Sequence, residues 1–142
     1  MTALLLTSLR PWGGAPADLL IEDGVITALG TGLPAPEGVR TIDARGLLAL
    51  PGLVNTHAHV DKSWWGKPWV SYDGEATTQG RIAHERAERG ALGIPNEDST
   101  VRVMEEFLRH GTTATRTHVD VDLGVGLDGI ASVCSAAERL GV

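Results

Sequence analysis

The sequence predicts an α/β protein in which a small antiparallel sheet precedes the start of a parallel one. Three observations carry this. Short strand-like runs, separated by turn residues, fill residues 1–49. After Pro51 the pattern changes to strand, helix, helix, strand, helix, a βα succession of the kind that builds parallel sheets. The chain has 142 residues, 42% apolar and 21% charged, which suits one ordinary domain with a buried core.

Residues 2–9 are the first expected strand, ended by Pro11 and the pair Gly13–Gly14. Asp18 to Leu29 reads as two strands around a tight Glu22-Asp23-Gly24 turn, a strong hairpin signal. The stretch 30–38, rich in Gly and Pro, is loop. Val39 to Asp43 and Leu47 to Leu50 complete the small sheet. The organisation expected is therefore residues 1–49 as a β portion and 50–142 as the α/β portion.

In the second portion residues 52–59 form a strand and Gln79 to Leu92 a helix with a thin apolar face. Asn96 caps a further helix, with Glu97 and Asp98 at its positive first turn and Gly111 beyond its end. Val103, Met104, Phe107 and Leu108 are its expected buried stripe. Thr112 to Asp122 is a second strand. Asp128 to Leu140 is a last helix, with Cys134 expected as a small buried hydrophobe on its inner side.

The chemistry concentrates at Leu50 to Lys62, LPGLVNTHAHVDK. Strand side chains alternate, so His57 and His59 share a face at the strand's carboxyl end, where two imidazoles can grip one metal ion. Buried imidazoles need partners; the alternative to a metal is a pair satisfied by the protein itself. On the second strand Thr113, Thr115, Thr117, Val119 and Val121 take one face. Ala114, Arg116, His118, Asp120 and Asp122 take the other. A parallel strand with a charged face needs a polar cavity or a salt-bridge network, here among Arg116, Asp120 and a neighbour. Between the His pair and the first helix, Asp61 to Ala76 holds Trp64, Trp65 and Trp69 and the only tyrosine. These rings could stack on a flat substrate, cover the site's mouth or meet another subunit.

A net charge of −6 argues against a nucleic-acid backbone as partner. The single cysteine fits a reducing compartment. The first residues show neither the basic start of a signal peptide nor a membrane span, so the cytoplasm is the expected location and no membrane partner is expected.

The run PGLVNTHAHVDK, the Trp-rich loop after it and GTTATRTHVDVD at 111–122 together resemble the amidohydrolase superfamily. The closer likeness is to its cytosine deaminase and N-isopropylammelide amidohydrolase branch. The resemblance implies the N-terminal part of a (β/α)8, TIM-like barrel beside a small antiparallel β-sandwich portion. It also implies one divalent metal ion, iron or zinc, held by His57 and His59, with a small cyclic nitrogenous ring as substrate. Asp61, Lys62, Trp64, Trp65, Trp69, Arg116, His118 and Asp120 become substrate-pocket candidates. His84 and His110, on or beside helices, are expected to be solvated. Two βα units fit in the chain, so the later metal ligands and the proton shuttle have no counterpart in it. No catalytic residue is assigned within it. It is expected to be an N-terminal fragment, inactive alone, whose further partner is the remaining part of the enzyme or a second copy. Two alternatives stand beside this: a non-catalytic truncated scaffold or assembly module, and a dihydroorotase- or imidazolonepropionase-like branch.

Overall fold

A computed structural model describes residues 2–142. The chain forms two compact units, Met1–Pro51 and Gly52–Val142.

The first unit contains β1 (Ala3–Pro11), β2 (Ala17–Glu22), β3 (Val25–Gly30), β4 (Arg40–Asp43) and β5 (Leu48–Ala49). The strands form one sheet in the order β3-β2-β1-β4, with β5 also on β1. The expected hairpin is β2–β3. Asp23 and Gly24 at its turn both have positive φ, 47° and 81°, as a tight turn matched to strand twist requires. The sheet is mixed rather than antiparallel, because β4 and β5 run parallel to β1. The Gly- and Pro-rich stretch 31–39 does not turn the chain back; it carries it across to the far side of β1. A sandwich needs a second layer, and the described residues of this unit build a single sheet. Leu5 and Leu9 of β1 are its buried apolar residues. Between them β1 bulges at Ser8, which has φ 57°. The Asp18 carboxylate accepts from the Ser8 and Leu33 amides and so ties the bulge to the following loop.

The second unit contains β6 (Leu53–Ala58), α1 (Thr78–Leu92), α2 (Glu97–Arg109), β7 (Thr112–Thr117) and α3 (Asp128–Leu140). β6 and β7 pair in parallel, Asn55 opposite Thr115 and Ala58 opposite Thr117. The helix signals act as read. The Asn96 side chain accepts from the Ser99 amide, Glu97 and Asp98 occupy the first turn of α2, and Gly111 takes φ 84° after its end. α1 begins one residue before its expected start, capped by Thr77.

Three expectations need correction. β7 ends at Thr117, not Asp122. Beyond it the Asp120 amide donates to the Asp61 carboxylate, and the Asp122 carboxylate accepts from the Gly124 and Val125 amides. At Asp120 a side chain thus takes the bond that a ladder would have used, and Asp122 holds the turn that follows. The stripe on α2 is not closed core. Met104, Phe107 and Leu108 line an open apolar cleft of about 280 Å³ with Val60, the β7 threonines, Val133 and Ala137. The buried apolar residues of this unit are instead Ala58, Val60, Val101, Val125 and Ala136, with Ser99 and Thr100 buried where α2 meets α3. Cys134 is exposed, because α3 packs through Gly129 and Ala136 and turns residue 134 outward. No helix among the described residues is long and apolar enough to cross a membrane.

Candidate functional site

The site is built where β6 and β7 end. His57 is in β6, His59 lies one residue past it, and His118 lies one residue past β7. The parallel register, closed by a 2.7 Å bond from the His118 amide to the Ala58 carbonyl, brings all three rings together. Ring centroids are 4.3 Å apart for His57–His118, 5.5 Å for His57–His59 and 5.7 Å for His59–His118. The two residues read as metal ligands are therefore on one side, and His118 joins them.

Desolvation, followed by electrostatic repulsion from His57, Arg116 and His59, holds the His118 pKa below its ordinary value. This ring stays neutral near pH 7, with a lone pair on one nitrogen. The donor chemistry suits iron or zinc, both of which take imidazole nitrogen. The Nδ1 of His59 is buried with no hydrogen-bond partner. Among the described residues, however, no three His, Cys, Asp or Glu side chains form a group that could hold a metal ion. His118 lies nearly face to face with His57, at an interplanar angle of 30°. The His57–His59 pair fits a metal as part of a ligand set, since catalytic zinc sites generally use about three protein ligands.

Around the histidines runs a charged network. A single 3-10 turn, Val60–Lys62, follows His59. The Lys62 ammonium donates to Asp120 at 2.8 Å and to Glu85 of α1 at 3.0 Å. Burial alone would lower the Lys62 pKa, but these bonds outweigh it and hold it above the ordinary value. The same Lys62 bond holds the Asp120 carboxyl below its usual range. A second cluster pairs Asp122 with Arg89 at 2.9 Å and with Arg86 at 3.0 Å, fastening the loop after β7 to α1.

Other candidates are distributed differently. Asp61 is only 3% exposed; one oxygen accepts from the Asp120 amide and the other has no partner. With Lys62, Glu85, Arg89 and Asp120 it also lines a small cavity of about 10 Å³. Arg116 is exposed and makes no ion pair among the described residues, so the internal network forms without it. Trp64 is half-buried. Its indole N–H donates to the Pro68 carbonyl, and the Lys67 ammonium lies 4.6 Å from its ring centroid. It lines a cleft of about 610 Å³ with Lys62, Tyr72, Arg81, His84, Glu85 and others. Trp65 and Trp69 are 56% and 81% exposed and do not line that cleft. His84 is half-buried rather than solvated, edge-on to Tyr72 and 3.4 Å from Asp73. His110 is exposed beside Glu106.

Glu85 and Arg89 were missed by the sequence reading. The signal was present: α1 has a thin apolar face, and these two charges lie four residues apart on one side of it.

No family model matches the chain. Among curated proteins it is 37% identical over 87 residues to the dihydroorotase of Citrifermentans bemidjiense, covering 61% of this chain and 19% of that protein. Among solved structures it matches N-isopropylammelide isopropylaminohydrolase from Burkholderia multivorans ATCC 17616. That match has TM-score 0.89 and 39% identity over 99% of this chain and 35% of that one. It also matches the zinc complex of atrazine chlorohydrolase from Arthrobacter aurescens TC1, with TM-score 0.72 and 25% identity over 98% of this chain and 34% of that one. The chain thus spans about a fifth of the curated relative and about a third of the solved chains. Its relatives and its structural neighbours agree, and the chain belongs to the amidohydrolase family, to whose N-terminal portion it corresponds.

Proposed function

We propose that this chain is the first part of a metal-dependent hydrolase that cleaves C–N bonds of a cyclic amidine or amide, such as cytosine or a triazine-like ring. The observation that carries the reading is the convergence of His57, His59 and His118 at the carboxyl ends of two parallel strands. In α/β barrels active sites lie at that end, and two such strands are the start expected of a (β/α)8 barrel. His57 and His59 would hold one divalent ion, zinc or iron. When bound, such an ion lowers the pKa of water to about 7 and supplies a nucleophile at neutral pH. Trp64 and Tyr72 offer flat apolar surface to a planar ring, and the Lys62–Glu85 pair forms the polar border of the same cleft.

A dihydroorotase-like branch is a second reading, supported by the 37% identity over 87 residues. The ring-amidine reading is preferred because the N-isopropylammelide enzyme matches 99% of the chain at 39% identity.

Zinc titration of the chain and of its His57→Ala and His59→Ala variants tests the metal pair. The expected result is weak binding that each substitution abolishes. Binding unchanged in the double variant would remove the reading. For the enzyme that carries this segment, amine or ammonia release from cytosine and N-alkylammelides, set against consumption of dihydroorotate, separates the two branches.

A further inference from the structure

We propose that Asp120, clamped by the Asp61–Lys62 dipeptide, is the positioning residue that fixes the tautomer and ring orientation of His59. This rests on the reading of His59 as a metal ligand.

The Nδ1 of His59 is shielded from solvent and has no hydrogen-bond partner. A buried ring nitrogen without a partner is unfavourable, so the site is expected to supply one. The acidic oxygen facing it is Asp120 Oδ1, at 3.9 Å. That is less than an ångström beyond the range of about 2.7–3.2 Å for a hydrogen bond, and a small swing of ring or carboxylate closes it.

Asp120 is held from two sides. Its backbone amide donates to Asp61 Oδ2 at 3.3 Å, and its Oδ2 accepts from Lys62 at 2.8 Å. Lys62 is braced in turn by Glu85. Both clamping residues come from the 3-10 turn that begins directly after His59, so one short segment carries the imidazole and also the groups that place its acceptor. The close approach of this segment to α3 depends on Gly129, which lies against Asp61 and Val119.

The chemical consequence is direct. A carboxylate facing Nδ1 keeps the proton there and leaves the lone pair on Nε2, free for a metal. Lys62, with its ammonium committed to two carboxylates, acts through Asp120 on His59.

Long-range proton–nitrogen correlation spectra of the isotope-labelled, metal-free chain read the tautomer of each neutral histidine. His59 is expected as the Nδ1–H form. Asp120→Ala is expected to shift it toward Nε2–H, Lys62→Met to shift it in the same direction, and Lys62→Arg to restore it. The dispersion of the backbone amide signals reports an intact fold. Should Asp120→Ala fail to fold, the Lys62→Met and Lys62→Arg pair gives the same comparison. Zinc affinity is expected to fall about 10- to 100-fold in Asp120→Ala. An Nε2–H form of His59 in the unsubstituted chain, or an Nδ1–H form that survives Asp120→Ala with the fold intact, overturns the proposal. A chain that binds no zinc while the His59 tautomer still follows Asp120 removes the metal reading and supports the positioning role. Zinc binding with a tautomer indifferent to Asp120 does the reverse.

Discussion

Replacing Gly129 with alanine tests whether the site loop is pressed against α3 as tightly as the geometry says. Gly129 is buried in the first turn of α3. A Cβ there would lie 2.7 Å from Val119 Cγ1 and 3.4 Å from Asp61 Oδ2. Val119 cannot simply retreat. The amide before it, at His118, is bonded to Ala58, and the amide after it, at Asp120, is bonded to Asp61. Forcing a methyl group into a filled space costs about 1–3 kcal/mol. The gain from removing a helical glycine is about 0.5–1 kcal/mol, and smaller in a first turn. The net expectation is a loss of about 1–2 kcal/mol. Gly90, in α1, is the control: nothing lies within 4 Å of its Cβ position, so Gly90→Ala is expected to gain about 0.5–1 kcal/mol. Urea unfolding followed by the fluorescence of Trp64, Trp65 and Trp69, all in the second unit, measures both. If Gly129→Ala proves as stable as the unsubstituted chain, or if both variants move in the same direction, the packing argument is wrong.

Asn96→Ala removes the side-chain bond to the Ser99 amide and is expected to cost about 1 kcal/mol in the same urea assay, with Asn96→Asp nearly neutral. Arg89, reinforced by the amides of Gly124 and Val125, lowers the Asp122 pKa to about 2 from 3.8. A depressed folded pKa gives stability that is present above about pH 4 and lost as pH falls toward 2; the acid-unfolding curve of Asp122→Asn is expected to lack that component. Trp65→Ala and Trp69→Ala are expected to change stability by less than about 0.5 kcal/mol, because both rings face solvent. Trp64→Ala is expected to cost more, since it loses the Pro68 bond and the Lys67 contact, and thermal unfolding ranks the three.

Local grammar was legible because its causes are local. The Asp23–Gly24 turn, the Asn96 cap and the left-handed glycine at 111 follow from backbone freedom and from hydrogen bonds within a few residues. The shared side of His57 and His59 followed from strand alternation. What escaped the sequence depends on residues far apart. Whether β4 runs parallel or antiparallel to β1 is decided by the path of a loop, on which periodicity is silent. β7 stopped early because Asp61, some sixty positions away in the chain, takes the amide that a longer strand would have used. Nor do the letters show that Gly52, by lacking a side chain, leaves room for Thr113 on the paired strand.

The residue types at the site, two imidazoles followed by an acid and a lysine, are a property of the sequence alone. Their roles are not. A carboxylate beneath a loop and one facing a ring nitrogen read identically as letters, and only the folded chain separates Asp61 from Asp120. The physical reason is that burial, hydrogen bonding and charge pairing act across space, and here the parallel register of β6 and β7 sets that space.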